Sequence, residues 1–218
     1  MNPVSATAYH PPSDDGAPLL YLDDDLVIAE KPSGLLSAPG RGADKADCLI
    51  ARLHRLHPEL LLVHRLDMDT SGLLILARHP RAQRELSRLF RERQVDKRYE
   101  AVVSGRVAAD QGEINLPLIC DWPRRPRQKV DLATGKPSQT RFRVLRRESA
   151  PFTTRLELEP VTGRSHQLRV HCLALGHPIV GDSLYGTAAT RLLLHASHLA
   201  FPHPSSGAAM AFASPTPF

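Results

Sequence analysis

"HRLDMDTSGLLILAR" (residues 64–78) decides the fold. Leu73–Ala77 is an unbroken apolar run of strand length, the pattern of a strand buried on both faces near the middle of a sheet. The residues before it are polar and charged, and a polar loop feeding a buried strand is held rigidly enough to carry a reactive group. Thr70-Ser71-Gly72 reads as a tight turn whose hydroxyls satisfy backbone groups, and Asp69 as a turn former. Asp67 is then the candidate for chemistry. A carboxylate that stays ionised in a partly dry site needs a cation beside it. Arginine suits this, because its planar fork offers paired donors. Arg65 is adjacent, and "GRSHQLRVH" supplies Arg164 and Arg169, with His166 three residues before Arg169 on an expected helix face. Spacing alone does not choose among these arginines.

Working outward, Leu19–Leu22 and Leu26–Ala29 form an expected strand pair across Asp23-Asp24-Asp25, and "KPSGLLSAPGRG" reads as a loop. Asp47 is placed to cap a helix running to about His57, with Leu49, Ile50, Leu53 and Leu56 as its apolar face and Pro58 as its stop. Pro80 suits the first turn of a second helix that buries Ala82, Leu86, Leu89 and Phe90. Arg81, Arg84, Arg88 and Arg91 make another stripe, turned to solvent or to phosphate. "RYEAVVSGRV", "GEINLPLI", "QTRFRVLRR", "TTRLELEPV" and "RLLLHASHLAF" read as strands. "GRSHQLRVHCLALGHP" switches to helical spacing and stops at Gly176 and Pro178. Strands outnumber helices in mixed order, so the fold class is α+β with a largely antiparallel sheet.

The 218 residues are 42% apolar and 23% charged, those of an ordinary globular chain, and no run is long enough to cross a membrane as a helix. Residues 1–18 are expected to be a flexible lead-in without the pattern of a secretory signal. Cys48, Cys120 and Cys172 are far apart and lack zinc spacing, so a reduced, cytoplasmic chain without a metal site is expected. No glycine loop for phosphate is present, so no cofactor is expected. The net charge of +5 is concentrated. Arg78–Arg98 holds eight Lys/Arg against three acids, and Asp121–Arg147 nine against two. Two such blocks point to a polyanionic partner or to a solvated basic surface.

"HRLDMDTSGLLILA" resembles the catalytic signature of the RluA family of RNA pseudouridine synthases. "EKPSGLLSAPG", "KRYEAVV", "TGRSHQLRVHCLALGHPIVGDSLYG" and "LLLHA" resemble further motifs of that family, in its order, from about Leu20 onward. "LPLICDWPRRPRQKV" and "ATGKPSQT" are similar to a short branch acting on both 23S rRNA and tRNA. The resemblance implies one catalytic domain over residues 19–218, with flanking helices, a basic cleft and no separate RNA-binding domain before it. It implies that Asp67 is the catalytic aspartate, that Tyr99 stacks on the target base near C5, and that Arg169 pairs with Asp67. Leu194 packs beneath the uracil and Arg65 enters the RNA where the base has left. His64, Arg164 and His166 fall in the same motifs as substrate-binding candidates. The implied reaction breaks the C1′–N1 bond of uridine, turns the base and rejoins C1′ to C5. Asp67 can attack C1′, attack C6 or take the 2′ proton, and each route needs an anionic carboxylate. The implied partners are hairpin loops of 23S rRNA and tRNA, with no membrane and no protein partner.

Overall fold

A computed structural model describes residues 9–16 and 18–218. Within them the strands β1 (Leu19–Leu22) and β2 (Leu26–Lys31) form the expected hairpin. A short helix α1 (Leu49–Leu53) and a two-residue strand β3 (Leu61–Leu62) lead to β4 (Ser71–Ala77), and α2 (Pro80–Arg91) follows. Then come β5 (Asp96–Ser104), β6 (Gln111–Asn115), β7 (Leu118–Cys120), β8 (Gln128–Val130), β9 (Gln139–Ser149) and β10 (Phe152–Pro160). Helix α3 (Gln167–Ala174), β11 (Leu194–Pro202) and β12 (Ala209–Ala213) complete the described elements.

Ten of these strands make one sheet in the order β1-β2-β4-β11-β5-β10-β9-β6, with β12 beside β11 and β3 beside β4; β7 and β8 pair separately. Only β4 and β11 run parallel among the paired strands described; the rest are antiparallel, as the α+β reading requires. Every residue of β4 is buried. Leu74 and Leu76 pack with Leu49, Ile50 and Leu53 of α1, and Leu73, Ile75 and Ala77 pack on the other face with Ala82, Leu86 and Leu89 of α2. Period-two alternation thus feeds two cores from one strand, which is why the run shows no polar positions. Each large side chain so buried contributes about 1.5–3 kcal/mol. A third cluster joins Ala101, Leu156 and Leu158 to Leu168 and Cys172 of α3.

Three local expectations are corrected. The first helix ends at Leu53, and Asp47 does not cap it; the N-cap is Cys48, without a side-chain bond. Asp47 instead accepts from Nε and Nη2 of Arg52 (2.8 and 2.7 Å), leaving Leu56 82% exposed beyond the helix end. The turn lies at Met68-Asp69, not at Thr70-Ser71-Gly72. Ser71 and Gly72 already belong to β4 because β11 pairs with them, His195 opposite Ser71 and Ala196 opposite Gly72. Helix α3 begins at Gln167, so His166 stands before it in a left-handed conformation (φ 52°) rather than on its face. The lead-in over residues 1–18 lies outside the described residues at 1–8 and 17; its remaining part is tied down. Tyr9 donates to the Asp47 carbonyl (3.0 Å), and Arg52 donates to the carbonyls of Pro12 and Ser13. Strands β8 and β12 were not expected; β12 carries only a weak alternation of half-buried Met210 and Phe212.

Gly72 makes the close β4–β11 approach possible. Its φ is +111°, and a Cβ there would lie 2.3 Å from the Ala196 carbonyl oxygen. Gly72→Ala is therefore expected to destabilise the fold by at least about 2 kcal/mol, read as a lower urea midpoint with unchanged slope. A midpoint equal to that of the parent chain would contradict this account of the strand pair. No helix among the described residues is long and apolar enough to cross a membrane.

Candidate active site

A cavity of about 920 Å³ opens where the loop before β4 meets β5, the start of α3 and the start of β11. Asp67 lines it from that loop, Tyr99 from β5, His166 and Arg169 from α3 and its approach, and Leu194 from β11. Arg65, Arg164 and Lys97 also line it, with Arg91 at the end of α2 and Arg93 just beyond it.

The loop carrying Asp67 is fastened from behind. Ser37 Oγ donates to the carbonyl of Leu66 (2.8 Å) and accepts from its amide (3.1 Å), so both backbone groups before Asp67 are fixed. The Lys31 ammonium is fully buried and donates to three carbonyls, those of Pro32 (2.8 Å), Leu35 (2.6 Å) and Met68 (2.8 Å). Burial pushes its pKa down to about 7, against the pull of Asp69 and Asp67. Ser33 Oγ donates to the Asp69 carbonyl (2.7 Å). The Asp69 carboxyl is half-buried, and burial raises its pKa against Arg169 and Lys31.

Asp67 itself is 26% exposed, so it faces the cavity. Its Oδ2 lies 3.6 Å from Nη1 of Arg169, and its Oδ1 4.0 Å from Nε2 of His166. Arg169 is almost wholly buried, and its tight partner is Asp182: Nε and Nη2 each donate to that carboxylate at 2.7 Å. Asp182 is fully buried and also accepts from the amides of Leu184 (2.9 Å) and Tyr185 (3.0 Å). Burial pushes the Asp182 pKa up, but Arg169 and the two amides outweigh it and hold the carboxyl below the usual range. The guanidinium is thus clamped on one edge and offers its remaining nitrogen to Asp67.

Tyr99 packs against two of the hydrophobic clusters, opposite Leu158 of β10 and Ala196 of β11. Burial and the Asp67 charge both push its hydroxyl pKa up. Leu194 is buried in register with Ala101, forming the floor. Arg65 is exposed at the mouth, and Arg164 is exposed with Nε donating to the Pro137 carbonyl (3.3 Å). His64 is spent on the wall. Its Nε2 accepts from the Ile75 amide (3.0 Å), so the proton sits on Nδ1, and its ring packs tilted against Phe90 with centroids 4.6 Å apart.

Spacing did not single out Lys31, Ser37, Asp182 or Tyr185. All four fall inside stretches already quoted ("EKPSGLLSAPG", "GDSLYG"), which is their only sequence signal. Outside the cavity, ligand atoms of Asp23, Asp25 and His203 lie within 4.8 Å of one another. Their atoms already bond to Tyr21, Ser205 and the amides of Asp25 and Leu26. That cluster closes the β1–β2 turn onto the β11–β12 turn.

His64 gives a pH prediction. Burial, with a smaller push from Lys97, takes its pKa down to about 3, against 6.5 for the free ring. Between pH 6.5 and about 3 the unfolded chain binds a proton that the folded chain refuses. Stability contributed by the neutral ring is complete above that window and falls by about 1.4 kcal/mol per unit as pH drops through it. Urea unfolding across this window is expected to show a shallower acid slope in His64→Gln; an unchanged slope would contradict the assignment.

A family model described as RNA pseudouridylate synthase matches residues 25–174. The protein named dual-specificity RNA pseudouridine synthase RluA in Escherichia coli is 49% identical over 215 residues, spanning 96% of this chain and 98% of that one. The protein of the same name in Vibrio parahaemolyticus is 51% identical over 206 residues, spanning 91% and 82%. Among solved structures, human RNA pseudouridylate synthase domain containing 1 superposes with a TM-score of 0.79 at 30% identity, spanning 96% of this chain and 87% of that one.

Proposed function

This chain belongs to the RNA pseudouridylate synthase family and is a pseudouridine synthase acting on RNA, and on that premise we propose that Asp67 is the group that acts on the nucleoside. The observation that carries the proposal is the carboxylate itself: it faces the cavity, with a clamped guanidinium 3.6 Å away and Tyr99 in the same wall. A carboxylate that must attack carbon or take a proton needs access to substrate together with a cation that keeps it ionised. Arg169 supplies the charge without capping both oxygens, because Asp182 takes the two strongest bonds of the fork.

For the remaining residues we propose the roles that the resemblance implies, and their places in the cavity wall support them. Tyr99 stacks on the extruded base, and Leu194 supports it from below. Arg65 at the mouth fills the gap left in the RNA. Arg164 and His166 stand at the start of α3, beside the sugar and its phosphates, and His64 shapes the wall. Flipping a uridine out costs a few kcal/mol, least from a loop, and stacking on Tyr99 returns roughly 1–3 kcal/mol. Arg91, Arg93 and Lys97 give the cleft a basic rim suited to the phosphate backbone. Residues 19–218 act as one catalytic unit, and the cytoplasm is the proposed location.

The substrates we propose are uridines in hairpin loops of 23S rRNA and in the anticodon stem-loop of tRNA. Support comes from the relatives, whose name includes dual specificity, and from the preference of RNA-binding proteins for splayed loop bases. The test is incubation with 23S rRNA and total tRNA lacking pseudouridine, followed by site mapping. Conversion at loop uridines in both RNAs, with RNA mass unchanged, is the expected result. Conversion in one class alone would overturn dual specificity, and release of free uracil would overturn isomerisation.

A further inference from the structure

His166 is held in an unusual way, and the pattern of its contacts assigns it a task. It is one of two described non-glycine residues with positive φ, yet its side chain does not cap the helix that follows. Left-handed backbone at a non-glycine residue costs free energy and is kept where the surroundings demand it. The approach to the helix is held by Gln167 instead, whose Oε1 accepts from the Arg164 amide (3.0 Å) and from Thr162 Oγ1 (2.7 Å). That leaves the imidazole free to bridge two groups. Its Nδ1 lies 2.7 Å from the Tyr185 hydroxyl, and its Nε2 faces Asp67 Oδ1 at 4.0 Å.

The contacts along this chain favour one set of proton positions. Tyr185 Oη accepts from the backbone amide of Gln128 on β8 (2.7 Å), which leaves its own proton to be given to Nδ1 of His166. A neutral imidazole that accepts at Nδ1 must carry its proton on Nε2, the nitrogen facing Asp67. The Tyr185 ring is fixed as well: its amide donates to Asp182 (3.0 Å), and the Arg169 guanidinium lies 5.2 Å from its ring centre.

We propose that His166 and Tyr185 are a positioning pair for Asp67, in which Tyr185 locks His166 as the Nε2–H tautomer so that a neutral N–H on one oxygen complements the Arg169 charge on the other. The proposal rests on Asp67 being the group that acts on the nucleoside. At 4.0 Å the N–H is beyond hydrogen-bond reach, so the proposal requires the contact to tighten when substrate fills the cavity. A neutral donor orients the carboxylate without the second positive charge that would quench it. The charged and titratable groups facing the imidazole are Asp67 and Asp69 from the loop before β4, Arg169 from α3, and Asp182 and Tyr185 from the segment after α3. Burial is the largest influence and favours the neutral ring, with Arg169 on the same side and the three carboxylates opposing.

The test is single-turnover conversion of a hairpin RNA as a function of pH, with RNA affinity measured separately. His166→Ala is expected to slow the chemical step by about tenfold or more while the dissociation constant for RNA stays within about threefold, and His166→Gln, which keeps an N–H at the same reach, is expected to recover part of the loss. Tyr185→Phe keeps the ring but removes the proton given to Nδ1. The neutral imidazole then loses its support, and the acid limb of the rate profile should move to higher pH. Urea unfolding of each variant separates a folding defect from a catalytic one. Parent-like rates in His166→Ala, or a Tyr185→Phe profile superimposable on the parent's, would overturn the proposal. If Asp67→Asn retained activity, the underlying reading would fail instead.

Discussion

Asp67→Asn is expected to lower the single-turnover rate of uridine conversion by at least about 10³-fold while leaving RNA affinity within about threefold. An amide matches the carboxylate in shape and cannot serve as nucleophile or base. The fold should tolerate the change, because Asp67 is partly open to solvent and Arg169 keeps its two 2.7 Å bonds to Asp182. The loop geometry is set by Ser37, Ser33 and Lys31 acting on backbone atoms, none of which the substitution touches. The loss should therefore lie in the chemical step alone, with the urea midpoint unchanged. Rapid conversion by this variant would remove Asp67 from the reaction.

Arg169→Ala carries the second large effect, and it is two effects at once. Removing the guanidinium strands the Asp182 carboxylate, fully buried, with only the amides of Leu184 and Tyr185 as partners. Breaking a buried pair from one side costs about 3–5 kcal/mol, a large share of the stability of a chain this size. It also removes the guanidinium 3.6 Å from Asp67, so the carboxylate loses its charged partner. Arg169→Lys separates the two: a lysine keeps charge in the site but not the fork, so it should fold with a smaller loss and react slowly. A parent-like urea midpoint in Arg169→Ala would contradict the clamp described here.

Much of this was legible in the sequence because it depends on neighbours along the chain. The run Leu73–Ala77 could only be a buried strand, and the stripe Ala82, Leu86, Leu89 only a helix face against it. Asp67 stood apart from Asp69 once turn chemistry was assigned to the latter, even though the turn itself falls one or two residues earlier than the hydroxyls implied. What was hidden depends on distant partners. Asp182 reaches Arg169 across 13 positions through a loop with no periodic signal. Lys31 stands beside a proline with no periodic signal, yet three carbonyls from two segments enclose it. The first helix also involves distant partners: Arg52 within it is drawn inward by Asp47 and by the carbonyls of Pro12 and Ser13, and Leu56 lies beyond its end. His166 counted as a helix residue by spacing, and only its left-handed backbone turns it to Asp67.

The location of the target nucleotide tests the central claim most directly. A crystal structure of Asp67→Asn bound to a uridine-containing hairpin RNA should show one uridine turned out of the loop, its base against Tyr99 and above Leu194, and its sugar in contact with residue 67. A target uridine still stacked in the RNA, or seated in the cavity with its sugar turned away from residue 67, would contradict it.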